Sequence, residues 1–229
     1  MKIEIWSDII CPFCYIGKRN FEAALEEFET KNENEIEIEW KSFQLDPSIP
    51  KSLENKVNTY EYLAERKGMT VEKSIELHQN VTEMARNVGL TYNFEKSVVA
   101  NSFDAHKLIQ LAKSKELGGV AEEVLFKAYF TNGKDMSDHS TLIELGKKIG
   151  FDEQEVISAL DSEIFEAKVN ADISEGYQIG VTGVPFFVFD RKHAISGAQP
   201  IETFLNALKH SFSESNNNSV SCFTDEGSC

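Results

Sequence analysis

Two short stretches near the N-terminus alternate apolar and polar residues, and a helical pattern lies between them. Residues 3–7 and 36–43 have the two-residue period of β-strands, while residues 12–31 place apolar side chains three and four positions apart. The order strand, helix, strand predicts a right-handed βαβ unit, because a crossover between parallel strands almost always takes that hand.

Helical patterns replace strand patterns after the turn-rich segment 46–50. We predict helices over residues 57–67, 71–88, 97–117, 120–131, 141–149 and 153–160. Glycines stand at most of the breaks between them, as is typical of helix ends. A run of helices without strands predicts an all-helical insertion.

The C-terminal part returns to a mixed pattern. A helix over 164–178 leads through the loop 180–185 into an apolar run at 186–189, a short strand at 194–196 and a helix over 200–212. Joined to the first block, this predicts an α/β fold with a four-stranded sheet built from residues 1–46 and 163–212. Residues 47–162 form the helical insertion, and the polar segment that opens the tail 213–229 is expected to be flexible.

Acidic residues outnumber basic ones, 38 to 23, for a formal net charge of −15. The charge is spread over the amphipathic helices, which argues against binding to nucleic acid or to an anionic membrane. The N-terminus runs directly into a strand without the pattern of a secretory leader, and no stretch approaches transmembrane length. We therefore expect a cytoplasmic protein, in which a close cysteine pair is more often catalytic than structural.

The pair Cys11 and Cys14 lies between the first strand and the first helix, as Cys-Pro-Phe-Cys. A thiolate, not a thiol, attacks a disulfide, and the unpaired N–H groups of a helix N-terminus favour a thiolate. The placement predicts an exposed, attacking Cys11, with Cys14 one turn deeper to resolve the mixed disulfide.

A CxxC pair is also half of many zinc sites. The remaining cysteines, Cys222 and Cys229, stand more than two hundred residues away, whereas structural zinc sites usually gather their ligands locally. The strand–CxxC–helix context favours redox chemistry, so no metal site is predicted.

Four motifs together carry a family resemblance: residues 7–14, 101–107, 128–135, and 183–187 with 197–199. With them the chain resembles the DsbA-like thioredoxin-fold oxidoreductases, in particular their FrnE-type cytoplasmic subgroup, over most of residues 1–212. The resemblance implies a thioredoxin fold interrupted by the helical insertion. It also implies a cis Val184–Pro185 bond beside the dithiol, where the Val184 backbone would pair with an extended substrate.

The resemblance also suggests roles for residues around the pair. Pro12 and Phe13 would shape the reacting sulfur's surroundings, and Phe13 stands where periplasmic DsbA proteins have a histidine. Because Phe13 cannot donate a hydrogen bond to sulfur, a milder oxidant is expected. Asn101 and His106 would form a wall of the substrate groove, although a lone histidine in a helix is more commonly satisfied inside the bundle.

Two further features leave alternatives open. Asp8 would either accept the proton that leaves Cys14 or cap the turn before the helix. Cys222 and Cys229 would form an auxiliary redox pair that exchanges with the dithiol, or else an independent clip or a metal-binding tail.

The expected function is thiol–disulfide exchange with protein or peptide thiols. It needs no cofactor beyond the redox-active disulfide, with glutathione as a candidate reductant. One alternative is a glutathione-dependent enzyme like the kappa-type transferases or 2-hydroxychromene-2-carboxylate isomerases, which typically have serine where Cys11 stands. The other is a chaperone-like or metal-buffering protein.

Overall fold

The computed structural model describes residues 1–29, 36–51 and 57–221, with side chains up to residue 214. Its sheet has four strands, β1 (Lys2–Ser7), β2 (Glu37–Ser42), β3 (Phe186–Phe189) and β4 (His193–Ser196). Their order is β2-β1-β3-β4. Strands β1 and β2 are parallel, as a βαβ unit requires, and the other two pairs are antiparallel.

Three helices accompany the sheet and six belong to the insertion, among the residues that the structure describes. The first group is α1 (Pro12–Glu29), α8 (Glu163–Gln178) and α9 (Ile201–Ser221). The second is α2 (Thr59–Lys67), α3 (Val71–Asn87), α4 (Phe103–Lys113), α5 (Gly118–Phe126), α6 (His139–Ile149) and α7 (Glu153–Leu160), with a π-helical turn at Lys127–Thr131. This is the predicted thioredoxin arrangement with its helical insertion.

An aromatic cluster joins α1 and α9 to one face of the sheet. The ring centroid of Phe21 lies 5.4 Å from that of Phe187 and 5.7 Å from that of Phe204, and all three side chains are buried. Strand β1 runs through the middle of the sheet and is buried from Ile3 onward. The dithiol therefore begins a helix at the end of the most enclosed strand.

The insertion helix predicted over 97–117 is shorter than expected. Helix α4 begins only at Phe103, because Val98 forms a β-bridge with Asn58 and the Asn101 side chain accepts a hydrogen bond from the Phe103 N–H. The helix predicted over 120–131 likewise divides into α5 and the π-helical turn. Side-chain periodicity did not reveal either boundary, since both depend on contacts with distant residues.

The C-terminal helix is longer than predicted. We expected it to end near residue 212 and to be followed by a flexible segment, but α9 continues to Ser221. No glycine or proline interrupts residues 201–221, and a helix that packing has already nucleated extends at little cost. Cys222 and Cys229 lie outside the described residues, so the predicted auxiliary redox pair stays a prediction.

The insertion shares a hydrophobic core with the start of α1. Tyr15 stacks on Phe126 at 5.0 Å, and Cys11 and Cys14 belong to the same buried cluster as α4, α5 and α6 residues. Across the described part of the chain, no helix combines the length and apolar character needed to cross a membrane.

Candidate active site

Cys11 and Cys14 occupy the N-terminus of α1. The Cys11 N–H donates to the Asp8 carbonyl oxygen at 2.9 Å, and the Cys14 N–H donates to the Cys11 carbonyl oxygen at 3.0 Å. Pro12, which has no N–H to satisfy, is the first helical residue, and the first turn contains no acidic side chain. Both thiols are free, and the positive end of the helix faces no carboxylate of its own first turn.

The loop before β3 lies beside the thiol of Cys11. Cys11 Sγ donates a hydrogen bond to the Val184 carbonyl oxygen at 3.4 Å, and the Val184–Pro185 peptide bond is cis. Gly17 permits this approach: a Cβ built there would lie 2.9 Å from the Pro185 ring. Gly17 was not singled out in the sequence, because only the folded chain brings α1 against this loop.

The prediction that Cys11 is exposed is wrong for this conformation. The residue is 2% exposed and Cys14 is 1% exposed. The insertion supplies part of the cover, because the Tyr92 hydroxyl donates to the Pro12 carbonyl oxygen at 2.7 Å and the Tyr92 ring stacks on Tyr15 at 6.2 Å. The local βαβ pattern could not predict this cover, because Tyr92 lies eighty positions from Pro12 in the sequence.

Phe13, between the two cysteines, points outward. It is 39% exposed, which is unusual for a phenylalanine in a chain of this size. An exposed aromatic ring beside a covered thiol offers an apolar contact to a partner that approaches the dithiol.

A buried polar cluster lies beneath the dithiol, and two helices of the insertion contribute to it. His106 from α4 has its Nε2 atom 3.5 Å from Asp8 Oδ1, and the Ser7 hydroxyl donates to Glu122 Oε2 of α5 at 3.4 Å. All four side chains are 0–1% exposed. Among the described residues, neither ring nitrogen of His106 has a hydrogen-bond partner. The imidazole lies inside the helical bundle, as one of the two interpretations expected, and its role in a substrate groove stays a prediction.

This environment changes the acidity of two groups. Burial raises the pKa of the Glu122 carboxyl to about 7, although His106, Lys18 and the Ser7 hydroxyl oppose the rise. Burial, reinforced by Cys11, also raises the pKa of the Cys14 thiol well above its usual value, while hydrogen bonds from the Asp8 backbone and the Ser7 hydroxyl counteract it. The Glu122 carboxyl and the Cys14 thiol thus share Ser7 as a common neighbour.

Asp8 takes the capping position that the sequence suggested. Its Oδ1 atom accepts from the Ile10 N–H at 3.3 Å and its Oδ2 atom accepts from the Leu45 N–H at 2.7 Å. The carboxylate therefore ties the turn before α1 to the segment after β2, and it faces His106 from within the same cluster.

Asn101 is enclosed, contrary to its expected position in a groove wall. Its Oδ1 atom accepts from the Gln44 amide at 3.2 Å and from the Phe103 N–H at 2.9 Å, and its Nδ2 atom donates to the Ile49 carbonyl oxygen. The side chain is 6% exposed and its polar atoms are used internally. It joins the segment after β2 to the start of α4, which places His106.

A second charged group links α1 to α5. Lys18 is buried, and its Nζ atom lies 2.8 Å from Glu123 Oε2 and 2.5 Å from Glu22 Oε1. Although burial opposes it, hydrogen bonds from Lys18, Tyr15 and Arg19 lower the pKa of Glu123 to about 2. Glu122 and Glu123 are neighbours in sequence, yet the pKa of the first is raised to about 7 and that of the second is lowered to about 2.

The dithiol belongs to no cluster of three metal-ligating side chains within the described ranges.

A family model described as a DSBA-like thioredoxin domain matches residues 2–209. The chain belongs to the DsbA-like thioredoxin family. This agrees with the dithiol at the N-terminus of α1 and with the sheet topology. The FrnE-type subgroup within the family stays a prediction.

Three known proteins illustrate the similarity. A probable DsbA oxidoreductase from Streptomyces coelicolor is 35% identical, with a TM-score of 0.87 over 93% of this chain and 91% of that one. YwbO of Bacillus subtilis, an uncharacterized protein, is 26% identical over 210 residues, which cover 91% of this chain and 96% of its own. The cytosolic disulfide reductase DsbM of Pseudomonas aeruginosa, also solved with GSH, is 16% identical with a TM-score of 0.65 over 93% and 98% of the two chains. At that identity the likeness to DsbM concerns the fold alone.

Proposed function

We propose that this DsbA-like protein is a thiol–disulfide oxidoreductase that acts on protein or peptide substrates through Cys11 and Cys14. The observation that carries the proposal is the pair of free thiols at the N-terminus of α1, with Cys11 Sγ 3.4 Å from the Val184 carbonyl oxygen. This arrangement puts one sulfur where a helix end favours the thiolate and a backbone edge is available to an extended chain.

In the reducing direction, the Cys11 thiolate attacks one sulfur of a substrate disulfide. The substrate S–S bond breaks, a mixed disulfide forms with Cys11, and the other substrate sulfur leaves as a thiolate that takes up a proton. Cys14 then attacks Cys11 Sγ, which releases the second substrate thiol and closes the Cys11–Cys14 disulfide. Oxidation of a substrate dithiol is the same sequence in reverse.

Cys14 must lose its proton before it can attack, and its burial makes that loss costly. We assign the acceptor role to Glu122, acting through the Ser7 hydroxyl. A carboxyl that titrates near pH 7 is well matched to accept and return a proton at neutral pH. His106, Asp8 and Lys18 surround it and set how readily it ionises.

Substrate access requires that the cover over Cys11 opens. The Tyr92 hydroxyl is hydrogen-bonded to Pro12 and its ring packs on Tyr15 and Phe130, so opening breaks these contacts while the helices of the insertion stay in place. Phe13 then offers an apolar contact, and Pro12 and Pro185 flank the reacting sulfur. We propose glutathione as the reductant that reopens the Cys11–Cys14 disulfide, and the cytoplasm as the compartment.

Equilibration of the chain with glutathione redox buffers, followed by alkylation and mass spectrometry of the Cys11–Cys14 peptide, gives the reduction potential of the pair. Insulin reduction, run beside it, tests protein substrates. We expect Cys11→Ser to abolish insulin reduction and Cys14→Ser to accumulate a mixed disulfide on Cys11. Full insulin reduction by Cys11→Ser would overturn the proposal.

The glutathione-dependent isomerase alternative gives a different outcome in the same variants. Such an enzyme would isomerise 2-hydroxychromene-2-carboxylate with added glutathione and would keep that activity in Cys14→Ser. A chaperone-like protein would suppress aggregation equally well in the Cys11→Ser, Cys14→Ser double variant.

A further inference from the structure

A second group of chemically suited side chains lies at the far edge of the sheet, away from the dithiol. His193 begins β4, while His210 and Glu214 stand four positions apart on α9 and therefore share one helix face. The ligand atoms of the three side chains all lie within 4.8 Å of one another. A metal site was considered from the sequence only at the cysteines, and these three residues were not singled out. Strand β4, the last loop and the first half of α9 separate His193 from His210 along the chain.

The carboxylate stands between the two imidazoles. Glu214 Oε2 is 3.0 Å from His193 Nε2, and Glu214 Oε1 is 4.0 Å from His210 Nδ1. The two imidazole rings meet edge to face, with their centroids 4.6 Å apart. Two nitrogens and one carboxylate thus converge on a common space.

Regular structure supports all three donors. His193 pairs with Phe189 in the β3–β4 ladder, and the preceding turn is closed by a hydrogen bond from the Lys192 N–H to the Phe189 carbonyl oxygen at 2.9 Å. Helix α9 is anchored between the two donors by Phe212, whose ring lies 5.7 Å from that of Phe28. Donors on packed strands and helices hold their geometry better than donors on loops.

We propose that His193, His210 and Glu214 form a surface site for a divalent cation of the zinc class. Two imidazoles with one carboxylate are a donor set that Zn²⁺ accepts in a tetrahedral arrangement, with ligand distances of about 2.0–2.2 Å. All three side chains are partly open to solvent, at 39%, 59% and 38% exposed, which leaves the fourth position to water. Lys192 Nζ, 3.9 Å from Glu214 Oε2, is displaced when the cation binds.

A cation bound at this site would cross-link the edge strand β4 to the last helix, α9. Strand β4 is an edge strand of the sheet in the described part of the chain, and α9 extends to Ser221. A cation shared by β4 and α9 would join these two peripheral elements without involving Cys11 or Cys14. The site is therefore independent of the proposed redox function.

The test is isothermal titration of Zn²⁺ into the full chain with all four cysteines replaced by serine, because thiolates also bind zinc. We expect one Zn²⁺ per chain, and we expect His193→Ala, His210→Ala and Glu214→Gln each to weaken binding at least tenfold. His139→Ala is the matched control. That histidine is similarly exposed and contacts one carboxylate, Asp104, at 2.8 Å, so its loss should leave the affinity unchanged.

A readout that does not depend on the serine variant is the imidazole NMR spectrum of the wild-type chain. Zn²⁺, added beyond the amount that the thiols take up, should shift the His193 and His210 resonances together and leave the His139 resonances unchanged. The proposal is overturned if Zn²⁺ shows no saturable one-to-one binding. It is equally overturned if His139→Ala weakens binding as much as His193→Ala does.

Discussion

Glu122 shows, at the scale of single residues, how the helical insertion affects the chemistry of the dithiol. Its side chain is buried beneath the active site, in contact with Ser7 and near His106, Asp8 and Lys18. The next residue, Glu123, faces the cations of α1 and is ionised far below neutral pH. Burial decides the state of the first carboxyl and ion pairing decides that of the second.

We expect Glu122→Gln to slow the resolution of a Cys11 mixed disulfide, because the proton of Cys14 loses its acceptor. Positioned general bases accelerate such steps by about 10²-fold or more, so a loss of that order is predicted near pH 7. Quenched-flow mass spectrometry of the glutathionylated chain between pH 5 and pH 9 measures the rate. Glu83→Gln, at an exposed carboxylate that pairs with Arg86, is the control and should keep the wild-type pH profile; identical profiles for all three proteins would exclude the role of Glu122.

The same variant has a predictable effect on stability. The pKa of Glu122 is about 7 in the folded chain and near 4.5 when the carboxyl is exposed. Between pH 4.5 and pH 7 the folded state therefore binds a proton that the unfolded state does not, and the stability of the wild type falls as pH rises. Gln mimics the protonated carboxyl. The free energy of unfolding of Glu122→Gln should therefore exceed that of the wild type by up to about 3 kcal/mol at pH 8 and by little at pH 4. Urea unfolding at the two pH values measures the difference, and a constant difference would contradict the assignment.

Tyr92 tests whether the cover over Cys11 opens locally. Tyr92→Phe removes the hydroxyl hydrogen bond to Pro12 and keeps the ring stack, so opening should become easier by about 1 kcal/mol. Alkylation of Cys11 by iodoacetamide should then be about fivefold faster by peptide-resolved mass spectrometry. Tyr129→Phe, which removes a similar buried hydroxyl hydrogen bond to Val98, should leave the rate unchanged. Equal rates for all three proteins would mean that Tyr92 does not gate the thiol.

At the scale of elements, the close packing of α6 on α7 depends on one missing side chain. A Cβ added at Gly146 would overlap Val156 Cγ2, and valine has little freedom to rotate away within a helix. Glycine costs about 1 kcal/mol relative to alanine in a helix, yet the contact leaves no room for the better helix former. Packing of α6 on α7 therefore requires glycine at position 146, although alanine has the higher helix propensity.

We expect Gly146→Ala to lower the free energy of unfolding by about 1–2 kcal/mol, since overpacking outweighs the gain in helix propensity. The double variant Gly146→Ala, Val156→Ala should recover part of the loss relative to the sum of the single changes. Urea unfolding measures both. Gly119→Ala, where the nearest atom is 3.6 Å away in Trp40, should be neutral or stabilising; stabilisation by Gly146→Ala would show that the two helices separate easily.

At the scale of the whole molecule, the sheet and the insertion are joined by a buried ionic contact as well as by the shared core. Asp172 of α8 accepts hydrogen bonds from the Ser42 N–H at 3.0 Å and from the Gln110 amide at 2.6 Å. Lys41 and Lys113 lie 3.5 Å and 3.4 Å from its carboxylate. One side chain thus connects β2, α4 and α8.

Asp172→Ala should destabilise the chain by about 1–3 kcal/mol, because it leaves the buried Ser42 N–H and Gln110 amide without their acceptor, while Lys41 and Lys113 keep Glu39 as an ion-pair partner. Urea unfolding followed by both tryptophan fluorescence and far-ultraviolet circular dichroism measures the loss. A single shared transition is expected, since the two parts have a common core. Glu83→Ala, which removes an exposed pair with Arg86, should change stability by less than about 0.5 kcal/mol. Two separated transitions would show that the insertion is an independent unit.

The prediction of the fold from sequence was most accurate where the signal is local. The period of residues 3–7, the strand–CxxC–helix order and the helical spacing at 153–160 correspond to β1, the start of α1 and α7. The start of α4 and the end of α9 were missed. The first depends on a bridge between Val98 and Asn58, and the second falls in a polar stretch that offers few apolar positions to count.

The sequence by itself determined that two cysteines stand at the N-terminus of a helix that follows a strand, because this placement follows from neighbours a few positions apart. Tertiary structure decided that Tyr92 covers the start of α1, that burial beneath the dithiol raises the pKa of Glu122, and that His193 meets His210 and Glu214. Burial and charge contacts arise between segments distant in the chain, and periodicity along one segment does not encode which distant segment it will meet.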